Sequence, residues 1–543
     1  MKENDIILSE DIDKAVKNAI SNRRTDPLLE IGNPLEVIPG LRPVELYGVI
    51  KASGINDCAE LLLYASTEQI QCFLDFDCWN RDSFLPANFF DWSSAITALG
   101  FEKTGQVFRE MDEEILALVL LKSVVILNLK EVEVPEDDID YYRTPDGFFE
   151  LRPIEGINED VWKNVVSIIE SLYADNIEFA IEVLTKAAWE VELQLEENAY
   201  HWMSGRMEEQ GFTNYLDALS VYRFLDPSSV TLNESSVGRL VGLKSDAIIS
   251  TNLNWKASSA VLEAMAELEN TEVDRVKMGI ASLVNKMAIA DGIRLDDEDS
   301  LEIVAQYASS TVNLGLEFIT GGDAGKIPSA LRSIAIERIF RAGYSLLLKL
   351  KGLAQTLSRS GHISLSPRSY TLLEGPWVKF YKAIVTEHPM LHLGLKGVGE
   401  ERNFQSLRDL AFAGDIVEDM STLKSVIFYG LEMNAALLTD EGISNTSRKT
   451  AAEITFGDLI RTALMLNYNK LPVHSIPTKD HINAWKEASQ SLESASRNMM
   501  NIIKKNFIKN SLPSHPRLER ILTTHLEPLY SGLEISGLII YRV

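Results

Sequence analysis

Five side chains in one short stretch have the types that chemistry most often uses: Arg206, Glu209, Tyr222, Arg223 and Asp226. Guanidinium groups orient anions, a carboxylate moves protons, and a phenol can donate or accept. A helix ending near Gly211, then a second capped by Thr213 and stopped by Asp226-Pro227, would carry them to the rim of a pocket. The same residues would serve equally well as caps and ion pairs of two packed helices. Three other patterns fail on spacing. Gly321 to Lys326 has the look of a phosphate loop, but Thr320 holds the place of the first glycine, Ile327 replaces the hydroxyl residue, and a helix precedes it. Asp291 to Asp299 has the acids of a calcium loop without the alternation or the sixth-position glycine, and Arg294 sits among them, so a capped helix start at Asp296 or Asp297 is the better account. Glu190, Glu192, Glu196 and Glu197 crowd one helix with His201, whereas a di-iron site needs Glu-x-x-His on two helices.

No Gly-x-Ser-x-Gly elbow is present. The cysteines are Cys58, Cys72 and Cys78, an odd count without a CxxC pair, which argues against a disulfide framework or a zinc site and fits a reducing compartment. No cofactor and no metal is assigned from these patterns. One acidic run, with Glu131, Glu133, Glu136, Asp137, Asp138 and Asp140, could hold a divalent cation or be a solvated loop.

Charge is polarised. Residues 1–200 contain 40 acids and 16 bases, while the remainder carries 39 and 36. A negative first third repels phosphate backbones and anionic lipid, so nucleic acid and membrane are poor partners and a basic protein surface, or a second copy, is a better one. Arg497, Lys504, Lys505, Lys509, Arg517 and Arg520 form a basic stretch near the other end. The N-terminus lacks a signal-peptide layout, and Ile115 to Leu129 is too short to span a bilayer, so a cytoplasmic location is expected.

The elements behind these residues are mainly α, as helical repeats and bundles with one small β-hairpin element. Residues 1–30 read as a polar tail and 31–123 as a helical-repeat stack. Within the stack Ser66 to Gln69 is a capping box, and an offset of 46 relates Leu61 to Leu74 with Val107 to Leu120, with Asp112 standing where Ser66 stands. Residues 124–158 form the hairpin element, with Pro145-Asp146-Gly147 as its turn. Residues 159–227 are a helical segment with one long helix over 176–207. Residues 228–255 read as a linker and 256–543 as a C-terminal helical bundle. Its predicted helices include 328–357, 401–412, 415–436 and 478–509, the last with heptad spacing from Trp485 to Ile502.

The stretch Gly205 to Phe212 with Tyr215, Asp217-Ala218 and Tyr222 to Pro227 resembles the signature of an uncharacterised bacterial family, domain of unknown function 6178. Thr144 to Phe149, Leu41 to Trp79 and Asn403 to Leu410 resemble it too, so the likeness extends over nearly the whole chain. It implies no activity, and no residue role carries over. The N-terminal helices are similar, more weakly, to the cytosolic domain of MgtE-type magnesium transporters and to flagellar switch proteins, which implies packed helical repeats used in regulation and assembly. The leading expectation is a non-catalytic interaction or scaffold protein. The alternatives are an enzyme with a pocket near residues 206–226, and an acidic cation-binding regulator.

Overall fold

The computed structural model describes residues 3–132, 140–210, 212–232, 259–294, 297–360, 372–394, 401–433, 453–472, 475–487 and 492–512, with isolated positions 363, 446–447, 450, 517–518, 520–521 and 540. The protein is mainly helical with small antiparallel sheets. The buried side chains among the described residues form two hydrophobic cores. One runs from Ala15 to Phe212, the other from Val221 to Ile540. The two meet where Ala288 and Leu301 are buried in the first core and Ile293 packs against both.

The first core is organised around helix Thr67–Asp77, in which ten of eleven residues are buried. A helix enclosed on all sides needs a good start and paired polar groups. Ser66 and Gln69 supply the capping box, and the Gln69 amide donates onward to the carbonyls of Ile38 and Leu41. Asp112 occupies the matching position before helix Glu113–Leu121 but makes no cap bond. Its carboxylate is turned to Arg206 instead. The expected N-terminal tail is helix Glu3–Asn22, which buries Ala15, Val16 and Ala19; the stripe is too short to stand out among charged neighbours.

Val124–Asn128, Tyr142–Arg143 and Phe149–Pro153 form a three-stranded sheet with the last strand in the middle. Its turn is pinned by Asp146, whose carboxylate accepts from the Thr144 hydroxyl (2.6 Å), the Phe148 N–H (3.0 Å) and the Tyr173 hydroxyl (2.9 Å). Gly147 takes φ 70°, the left-handed conformation that glycine supplies without strain. Beyond this predicted element the described residues include two further antiparallel strand pairs, Trp79–Asn80 with Ser83–Phe84 and Leu391–His392 with Glu401–Arg402. Strands of two residues are too short for an alternating pattern to register.

In the second core, helices Glu298–Thr320 and Ile336–Arg359 cross in near contact. A Cβ at Gly315 would fall 2.1 Å from the Ile339 carbonyl oxygen, and one at Gly343 would fall 2.2 Å from that of Thr311. Only glycine at both positions permits the approach. Arg461, 1% exposed, forms a two-pronged pair with Glu374 (3.0 and 2.9 Å). Several predicted helix bounds change. The long helix over 176–207 is two, Ile177–Trp189 and Glu192–Glu209, because Glu190 and Val191 are extended. Residues 328–357 likewise divide at Ile334, while 407–430 run on as one helix with a wide final turn. Met499 of the predicted heptad seam is buried in the second core.

Candidate functional site

The two cores are joined at a charged seam, and a concave site opens there. Helix Thr67–Asp77 ends in it, and hairpin Trp79–Phe84 folds over it. The end of helix Asn270–Asp291, where Gly292 adopts φ 69° as a left-handed cap, closes the other side. The resulting cleft encloses about 190 Å³. Its walls include Phe76, Trp79, Tyr200, Met207, Tyr215 and Ile289, with Asp75, Asp77, Arg81 and Arg294 as the charged groups.

Asp77, 4% exposed, is the hub. One carboxylate oxygen accepts from Arg294 (2.7 Å) and the Tyr47 hydroxyl (3.4 Å), the other from Lys51 (2.9 Å) and the Trp92 indole (2.8 Å). Half a turn earlier Asp75 accepts two bonds from Arg206, from Nε at 2.7 Å and Nη2 at 2.9 Å. Burial pushes Asp75 up to about 6, with Arg206 pulling the other way. Burial also works against the Arg206 charge, but the Asp75 and Asp112 carboxylates outweigh it and raise its pKa.

On the second-core side of the same helix end, the Asp291 carboxylate accepts from the Tyr222 hydroxyl (2.9 Å) and lies 3.0 Å from His388 Nε2. The rings of Tyr222 and Tyr307 pack against His388 at 5.1 and 4.9 Å. Burial, then Asp291, drives the Tyr222 phenol far above its ordinary range, so it stays a neutral donor. His388 Nδ1 is buried without a hydrogen-bond partner among the described residues.

The five residues singled out in the sequence are therefore dispersed. Arg206 joins the first core, pairing with Asp75 and Asp112. Tyr222 belongs to the second, with Asp291. Asp226 caps the short turn Pro227–Ser229 and lies 3.6 Å from Lys349. The Arg223 carbonyl accepts from Arg341, and Glu209, one turn beyond Arg206 on the same helix, makes no hydrogen bond or ion pair with the other four among the described residues. A concave site does lie near residues 206–226, lined by Met207, Thr213, Asn214 and Tyr215, but its charged groups are others. Asp75, Asp77 and Arg81 stand together in the sequence, but Arg206 and Arg294, which pair with the two acids, are more than a hundred positions away, so nothing local marks them as a site. The signal that could have found the first two is two acids inside an otherwise apolar helix, at spacing two.

No group of three or more metal-binding side chains occurs among the described residues. Of the acidic run, residues 133–139 lie outside them. Cys58, Cys72 and Cys78 are free and buried, and burial raises all three thiols, Cys58 to about 11 and Cys72 to about 12. No described helix is long and apolar enough to cross a membrane.

Two outer surfaces complete the inventory. The link between helices Ile177–Trp189 and Glu192–Glu209 exposes Trp189 (63%), Val191 (66%) and Leu193 (74%) within five residues. Glu192, paired with Lys122, and Glu197 are exposed beside them, while Glu190 is half-buried with one carboxylate oxygen enclosed. Helix Leu492–Lys509 buries Met499, Ile503 and Phe507 and exposes Arg497, Asn501, Lys504, Lys505 and Ile508 on its other face.

No curated protein and no solved structure matches the chain. One family model does, over residues 3–531, and its description is a family of unknown function, DUF6178. With nearly the whole length matched, the chain belongs to the DUF6178 family.

Proposed function

We propose that this is a non-catalytic assembly protein whose copies bind one another head to tail through oppositely charged faces. The observation that carries the reading is the pair of exposed surfaces just described. An apolar knuckle of Trp189, Val191 and Leu193 rimmed by glutamates faces outward on the first core. A basic helix face with Ile508 72% exposed at its end faces outward on the second. Each is exposed among the described residues, and contact with a second copy would cover both. Aromatic anchors inside a charged rim are the anatomy of a protein interface. Opposite charge makes association faster and fixes its register. Two different patches on one chain form a heterologous contact, which closes into a ring or extends as a filament.

Sedimentation velocity tests it. The wild type should sediment as oligomers at about 50 mM salt and shift towards monomer at about 500 mM, where surface charges are screened over a few ångströms. The double substitution K504E/K505E should give monomer at both. Combining it with E192K/E197K, at two exposed rim positions, should restore association. A wild type that stays monomeric at tens of micromolar and low salt refutes the proposal, as does a K504E/K505E variant that associates normally.

A further inference from the structure

Arg81 is the charged group of the seam cleft that the ion-pair network does not use. Asp75, Asp77 and Arg294 are bound to one another or to Arg206 and Lys51, whereas Arg81 has no carboxylate partner among the described residues. Its guanidinium lies over the Tyr215 ring, 5.8 Å from the centroid. The backbone beneath it is unfavourable. Arg81 and Asp82 are the two residues between strands Trp79–Asn80 and Ser83–Phe84, and Arg81 holds φ 60°. Glycine or asparagine is the usual choice for such a position in a two-residue turn. A side chain kept there at the expense of turn stability is a pointer to use. Beside it, the Trp79 indole N–H is buried without an acceptor among the described residues, in a ring held edge-on by Phe84 and Tyr200. The remaining wall is mixed: one part is apolar, from Phe76, Leu85, Met203, Met207, Ile289 and Ile293, and another is polar, from Asn80, Asn88, Ser204, Thr213 and Asn214.

A cavity of about 150 Å³ holds benzene, so about 190 Å³ accepts one aromatic ring and a small substituent. We propose that the cleft binds a small aromatic carboxylate, with Arg81 as its counter-ion and the apolar part of the wall around its ring. The carboxylate suits Arg81 because a guanidinium offers parallel donors matched to two oxygens. The acids nearby do not repel it strongly, because Asp75 and Asp77 are already paired with Arg206, Lys51 and Arg294. This site lies at the seam and is independent of the outer surfaces assigned to assembly.

Calorimetric titration of the full-length protein with benzoate, benzamide and inorganic phosphate decides the matter. Benzoate should bind saturably at one site per chain, in the millimolar range or tighter expected of so small a ligand. Benzamide, equal in shape but neutral, should bind at least about tenfold more weakly, and Arg81→Gln should weaken benzoate by a similar factor. An unchanged melting temperature in Arg81→Gln shows that the loss is not one of folding, since Arg81 is exposed. Lack of saturable benzoate heat up to about 10 mM overturns the proposal. So does benzoate affinity that is unchanged in Arg81→Gln, or phosphate binding at the site in preference to benzoate.

Discussion

Replacing Arg206 by Met would strand a carboxylate inside the first core. Asp75 has a side chain 1% exposed, and Arg206 supplies two of its hydrogen bonds; the third, from Gln71, is long at 3.4 Å. Removing one partner of a buried pair costs about 3–5 kcal/mol, because the other charge remains without water or counter-ion. Asp112 loses the same guanidinium but is 21% exposed and can rehydrate, so most of the loss belongs to Asp75. The cost also has a pH signature. In the wild type Asp75 titrates at about 6 when folded against an ordinary 3.8, so its contribution is fully present below about pH 4 and is lost as pH rises to about 6. Without Arg206 the folded value climbs further, and the loss continues above pH 6. The gap between wild type and variant is therefore smallest near pH 4 and widens through pH 7. Urea unfolding followed by the fluorescence of Trp92, which is buried and bonded to Asp77, should report it at pH 5, 6, 7 and 8. Adding Asp75→Leu should recover much of the stability, since apolar replacement of a buried pair is often neutral or better. A penalty below about 1 kcal/mol, or one that does not change with pH, would refute this account of Asp75.

Gly343→Ala should lower stability by about 3 kcal/mol or more, because its Cβ meets backbone 2.2 Å away and the helices must separate; the melting curve of the second core reads it. A thiol reagent should label none of Cys58, Cys72 and Cys78 in the native protein within minutes and all three in denaturant, because each is buried with its thiolate disfavoured; fast native labelling would contradict the packing. Tyr222→Phe should cost about 1–2 kcal/mol, the price of leaving Asp291 one donor short while His388 remains; His388→Ala in the same background should then cost more than it does alone.

The helical character was legible because apolar residues recur once per turn across most of the chain, and the capping box at Ser66 and the Pro-Asp-Gly turn rest on neighbouring residues. What escaped was anything set by distant partners. Glu190-Val191 contains no helix breaker, so the split of the 176–207 helix depends on how both halves pack. Hairpin Trp79–Phe84 hides in an aromatic helical stretch, and its turn lacks the glycine or asparagine that would announce it. The site residues show the same limit. Arg206, Glu209, Tyr222, Arg223 and Asp226 are close in sequence, but Arg206 and Tyr222 face different cores. Asp77 and Arg294, which do meet, are more than two hundred positions apart.

That last pair also explains why the seam is charged. Apolar contact between the cores, through Ala288, Leu301 and Ile293, attracts without direction, and greasy surfaces can slide. Asp77 cannot. It collects Tyr47 and Lys51 from one helix, Trp92 from a second and Arg294 from the other half of the chain, so one rotation of one half against the other breaks a bond to a buried carboxylate. A buried ion pair is a weak source of stability, and its best-attested use is to fix register: a wrong alignment here leaves Asp77 with Lys51 but one charged donor short. The cleft beneath Arg81 inherits that alignment. Its floor comes from the first core, its far wall from the end of helix Asn270–Asp291, and its shape is set by the bond between Asp77 and Arg294.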